Sequence, residues 1–238
     1  MIKILMNTQP DDETCGPTSL HAIYEYYEDA ISLEQVVQEV DRVPTGGTIA
    51  PLLGKHALKR GYEAYIYVYN LDIFDPTWFH PRKLLPKQIL KKLEAQSQYK
   101  NSPRHLESAT AYGQFIEHGG SIRFHDLTVG LLRLYFKARI PILTGLSATY
   151  LYQSEREYGD GKGGVVLDDI RGEPLGHFVI LCGYDDQKRR IVVADPHREN
   201  PLSHDNYYKV NVSRLINAIM LGVLTYDANL LIIKPKNL

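Results

Sequence analysis

Cysteine is scarce in this 238-residue chain, and the two present, Cys15 and Cys182, belong to no Cys-x-x-Cys pair. That excludes a disulfide framework and a structural zinc site of the usual spacing. His118, His125 and His204 likewise lack partners at ligand spacing, so no metal and no cofactor is expected. Net charge is also lacking: 27 basic against 28 acidic side chains leave −1, which steers the protein toward neither nucleic acid nor an anionic membrane. Long apolar runs are missing too. No window approaches the ~20 residues of a membrane helix, and MIKILMNTQPDDE is too short in apolar residues for a secretory signal. A cytoplasmic protein acting on a peptide or protein substrate is expected, with its oligomeric state left open.

What is present divides into a helix-rich first half and a strand-rich second half. Gly16 to Tyr27 repeats Leu20, Ile23, Tyr24 and Tyr27 at helical intervals, with Pro17 suited to a first turn, so Cys15 falls at a helix N-terminus. Shorter helices are expected at 32–40, capped by Ser32, and at 51–60, stopped by Gly61. Residues 62–69 are aromatic and branched, which predicts a strand with Tyr65, Tyr67 and Tyr69 on one face, either packed or walling a cleft. Residues 82–104 hold seven basic groups against Glu94, around a short amphipathic helix at Ile89, Leu90 and Leu93. This stretch reads mainly as a solvated surface, with substrate recognition as the alternative.

Further on, Asp126 is positioned to cap a helix reaching Lys137, and 140–146 reads as a buried strand. The long stretch from Tyr150 to Gly176 carries the glycine cluster Gly159 to Gly164 and reads as a mobile loop, without the Gly-Lys-Ser/Thr of a phosphate loop. His177 to Tyr184 and Arg190 to Ala194 are apolar strand runs joined by turn residues. A helix at 213–221 and a strand at 230–233 complete an α+β chain, its N-terminal helical half packed on a C-terminal antiparallel sheet. A single domain over 1–238 is expected, with a helical insertion at about 65–120.

One constellation carries chemistry. A helix N-terminus and a neighbouring imidazolium both favour a thiolate, and Cys15 has the first by position. Gln9, six residues upstream, can aim an amide donor at the oxyanion formed when a thiolate attacks a carbonyl. If Asp186 and Gln187 centre a hairpin turn, His177 faces residue 196, and a single bulge brings Asp195 opposite the imidazole. Cys15, His177 and Asp195 then form a nucleophile, base and orienting acid. His197 is the rival base, but it lies past Pro196 on a loop. His21 and Cys182 read as packing residues.

Gln9-x5-Cys15-Gly16-Pro17-Thr18, Gly176 to Ile180 and Val192 to Pro196 resemble the double-glycine leader peptidases and their free-standing, peptidase C-39-like relatives within the papain-like cysteine peptidases. The resemblance covers roughly the first 60 and last 115 residues. It implies a papain-like fold, with Cys15 as nucleophile, His177 as general base and then acid, Asp195 as orienter and Gln9 as oxyanion donor. Two departures stand out: the chain shows no membrane segment, and Asp11, Asp12 and Glu13 oppose a nearby thiolate, so Cys15 must rely on His177 and the helix end. Cleavage of a peptide or amide bond through an acyl-enzyme is the expected reaction. Acyl or peptidyl transfer from the same thioester, or non-catalytic peptide binding, are the alternatives.

Overall fold

A computed structural model describes residues 1–44, 47–159 and 165–237. In chain order it forms α1 (Cys15–Tyr26), α2 (Leu33–Glu39), α3 (Ala50–Lys59), β1 (Glu63–Val68), α4 (Pro86–Ser97), α5 (Pro103–Glu117) and β2 (Ser121–Arg123). Then come α6 (Val129–Lys137), β3 (Ile142–Ser147), α7 (Ala148–Tyr152), β4 (Glu157–Gly159), β5 (Val165–Leu167), β6 (Gly176–Asp185), β7 (Arg190–Ala194), β8 (Tyr207–Asn211), α8 (Val212–Leu221) and β9 (Asn229–Lys234).

The frame is a seven-stranded sheet ordered β2-β1-β9-β3-β6-β7-β8, antiparallel except where β1 pairs with β2. The C-terminal strands dominate it, and β1 and β2 extend it with residues from earlier in the chain. Period-two alternation divides the apolar side chains between two faces. Ile66, Leu143, Phe178, Ile180 and Leu231 meet α1, α3 and α5, while Tyr67, Ile142, Val179, Leu181 and Ile232 meet α6 and α8. Burying Leu20, Ile23 and Tyr24 of α1 completely anchors that helix on the sheet, at about 1.5–3 kcal/mol per large apolar side chain.

Several local expectations change. Thr128, not Asp126, caps α6: its hydroxyl accepts from the Leu131 amide at 3.2 Å, because the backbone is still extended at Thr128 and turns helical only at Val129. The stretch from Tyr150 to Gly176 is more regular than a loop, containing the end of α7 and the hairpin strands β4 and β5. The central residues of its glycine cluster, 160–164, lie outside the described residues. Tyr65 and Tyr67 pack with Tyr135, and Arg123 stacks on Tyr65 at 3.6 Å, so this stripe belongs to the core and does not line the cavity beside Cys15.

Candidate active site

Cys15 opens α1, and α1 lies across β6, where the Ser19 hydroxyl donates to the Phe178 carbonyl at 3.3 Å. The next residue has to be small. A Cβ on Gly16 would stand 2.5 Å from Thr48 Cγ2 and 3.3 Å from Phe178. Thr14 precedes the helix without capping it through its side chain, so the first helical N–H groups around the thiol have no intrahelical acceptor. They form a donor-rich, electropositive end at the sulfur.

His177 is the second residue of β6, at the same end of the sheet. The hairpin delivering Asp195 differs in register from expectation. Its turn spans residues 186–189, widened by an amide donation from Lys188 to Asp185 Oδ1 at 3.1 Å and by left-handed backbone at Arg189. Asp185 therefore pairs with Arg190, and after a bulge at Cys182, Ile180 pairs with Ala194. Continued outward, this ladder sets Asp195 across from Val179, a diagonal step from His177 on the same face and not directly opposite it. The diagonal suffices: His177 Nε2 and Asp195 Oδ1 are 2.8 Å apart.

Asp195 is fully buried and well supplied with donors. Oδ1 also accepts from the His197 amide at 2.9 Å, while Oδ2 accepts the hydroxyls of Tyr152 and Tyr208, each at 2.7 Å. Burial alone would raise this carboxyl, but the charge and hydrogen bond of His177, with the two tyrosine hydroxyls, hold it below the usual carboxylate range. Burial likewise opposes a charged His177, and the Asp195 carboxylate, reinforced by hydrogen bonding to Cys15, overrides it and raises the imidazole. With Nε2 committed to Asp195, Nδ1 is the ring nitrogen left for the thiol.

Gln9 is tied to the same hairpin by donation of its amide N–H to the Pro196 carbonyl at 3.0 Å. Its side-chain nitrogen donates to the Asp11 carbonyl at 2.9 Å, which uses one of two amide hydrogens. Beside Cys15 opens a cavity of about 330 Å³, walled by Asp12, Thr48, Pro174, Leu175, Phe178 and Asp227 among others. Among the seven basic residues of 82–104, Arg104 lines it. Among the described residues, no group of three His, Cys, Asp or Glu side chains is arranged to hold a metal ion.

The model of the Peptidase_C39 like family matches residues 1–217. The chain belongs to the Peptidase_C39 like family. It is therefore a cysteine peptidase by class, a hydrolase acting on peptide bonds. Comparison with curated protein sequences finds no match. Among solved structures, a Bacillus anthracis protein assigned as a C39-like peptidase aligns with a TM-score of 0.52 at 14% identity, covering 98% of this chain and 96% of that one. At such identity the likeness is one of fold, α+β and papain-like. Xylellain, a cysteine protease from Xylella fastidiosa, aligns more loosely, with a TM-score of 0.43 at 14% identity over 98% of this chain and 83% of that one.

Within this family frame, two residues around Asp195 escaped sequence reasoning. Tyr208 lies on β8, whose alternation of exposed Tyr207, Lys209 and Asn211 with buried Tyr208 and Val210 was the available signal. Tyr152 ends α7 and carries no comparable mark. His197 contributes its backbone amide, and its ring centroid lies 6.4 Å from that of His177. Cys182 is buried, and burial pushes its thiol up to about 12. His21 is buried too, with Nε2 3.0 Å from the Ile31 carbonyl oxygen. No helix among the described residues is long and apolar enough to cross a membrane.

Proposed function

We propose that this cysteine peptidase works through Cys15 as nucleophile, His177 as general base and acid, Asp195 as orienter and Gln9 as oxyanion donor, on a peptide or protein substrate. The observation that carries the reading is His177, bonded at Nε2 to a buried carboxylate, with the Cys15 thiol at an uncapped helix end among the groups that raise its imidazole. Cys15 passes its proton to His177 and its sulfur attacks the scissile carbonyl carbon. The oxyanion of the tetrahedral intermediate meets the Cys15 amide and the second amide hydrogen of Gln9. His177 then protonates the leaving nitrogen, the C–N bond breaks, and a thioester remains. Water, deprotonated by His177, cleaves the thioester, releasing the acid product and restoring the thiol.

The whole chain is taken as one papain-like domain, with the helices of 65–120 as an insertion beside the cleft. Both cysteines are free, which suits a reducing, cytoplasmic setting. A fluorogenic peptide library with iodoacetamide labelling tests the reading. Alkylation should fall on Cys15 ahead of Cys182 and abolish turnover; equal labelling, or full turnover by Cys15→Ala, refutes it. Product masses taken with added amines should show the hydrolysed acid, and an amide product would reassign the reaction to acyl transfer.

A further inference from the structure

The cavity beside Cys15 contains a group that the triad leaves unused. Asp227 sits between a 3-10 turn at Gly222–Thr225 and β9, lines this cavity and is 7% exposed. Its Oδ1 is shut off from solvent and has no hydrogen-bond partner among the described residues. Burying an unpaired carboxyl oxygen is costly, so its retention calls for a reason other than stability.

Neighbouring glycines leave room for this carboxyl. A Cβ on Gly145 would stand 2.5 Å from the Asp227 carbonyl oxygen and 2.7 Å from its Cβ. One on Gly176, the residue before the proposed base, would stand 2.8 Å from Asp227 Oδ2. The wall also carries Asp12 and Glu13, the latter paired with Arg42 at 3.1 Å, and one guanidinium, Arg104, which is exposed.

We propose that Asp227 is a specificity-determining residue, taking a cationic nitrogen of the substrate, guanidinium or ammonium, into the cavity next to the scissile bond. The inference rests on Cys15 being the nucleophile. Burial pushes the unpaired carboxyl well above the usual carboxylate range, against the opposing charges of Arg104 on α5 and His177 on β6. Tyr112 on α5 also feels its charge. The entering cation meets the carboxyl at Oδ2, the oxygen beside Gly176: the carboxyl proton leaves to solvent and a charge-assisted hydrogen bond forms.

Peptide pairs that differ only as arginine against citrulline, or as free against acetylated N-terminus, separate the two sources of the cation. The wild-type protein should favour one cationic member by about 10- to 100-fold in kcat/KM, the loss expected for one charge-assisted bond, and Asp227→Asn should bring that pair to parity. No preference in the wild type, or a preference that survives Asp227→Asn, overturns the proposal. A second measurement does not depend on turnover. Agmatine should bind Cys15→Ser protein about 10-fold more weakly once Asp227→Asn is added, and equal binding overturns the pocket assignment. Failure of selective Cys15 labelling would instead defeat the peptidase mechanism while agmatine still judges the pocket.

Discussion

Asp195 and Asp227 are both buried carboxyls at one end of the sheet, and the fold treats them in opposite ways. Asp195 receives four donors from four separate places in the chain: His177 on β6, the His197 amide, Tyr152 on α7 and Tyr208 on β8. Asp227 keeps an oxygen with no hydrogen-bond partner among the described residues, and Gly145 and Gly176 stand beside it where larger residues would collide. Burial raises both carboxyls, and only Asp195 has the partners to reverse the shift. The contrast separates a carboxylate whose work is internal from one still lacking its partner, and each half can be broken experimentally.

The largest effect is expected at Asp195. Asp195→Ala leaves the His177 ring and two buried hydroxyls without an acceptor, and should cost about 3–5 kcal/mol in urea unfolding and about 10⁴-fold in kcat. Near-wild-type values in both would dissolve the distinction between the two aspartates.

Next comes pH. His177 is raised by Asp195, so the imidazolium survives above the ordinary histidine range and activity should persist there. Asp195→Asn removes the raising charge, the proton leaves at lower pH, and the alkaline limb of kcat/KM should move downward. An unmoved limb would mean that His177 is not the group being titrated.

A smaller cost is expected from the tyrosines. Tyr208→Phe deletes one hydrogen bond to a charged oxygen and should cost about 2 kcal/mol. Because Tyr152 shares that oxygen, the double variant with Tyr152→Phe should cost more than the sum of the single changes, as a double-mutant cycle would reveal.

The smallest effect, and of opposite sign, belongs to Asp227. A depressed carboxyl such as Asp195 stabilises above its unfolded-state value, and that contribution is lost as pH falls through the folded-state value. A raised one reverses the sign: Asp227 increasingly favours the unfolded chain as pH climbs from the ordinary carboxylate range toward its folded-state value. Asp227→Asn should therefore gain about 1 kcal/mol over wild type at neutral pH, and the gain should vanish in acid. A pH-independent loss of stability would reveal a partner for Oδ1 and erase the comparison.

The two aspartates also differ in how plainly the sequence announces them. Cys15, His177 and Asp195 are readable because α1, β6 and β7 are strongly patterned and turn residues join the last two. The register was off because side-chain hydrogen bonding by Asp185 widens the turn and a bulge then shifts the ladder, neither of which periodicity reveals. α5 passed unnoticed because its first turns bury only His105, Ser108, Ala109 and Ala111, and the large apolar residues Tyr112, Phe115 and Ile116 come at its C-terminal end. Asp227 resembles any loop residue between a helix and a strand. Only tertiary packing makes it buried and unpaired.

The extended stretch before α1 ties the two ends of the chain together: the Ile2 amide donates to the Cys182 carbonyl, Met6 and Ile4 share the Tyr207 hydroxyl, and Gln9 holds Pro196. During synthesis Cys15 leaves the ribosome while most of the chain, including His177 and Asp195, is still untranslated. At typical elongation rates the thiol waits on the order of ten seconds for His177. On the proposed roles of Cys15 and His177, a nascent chain carries an unarmed nucleophile, and catalytic competence arrives only when β6, β7 and β8 close against the first residues.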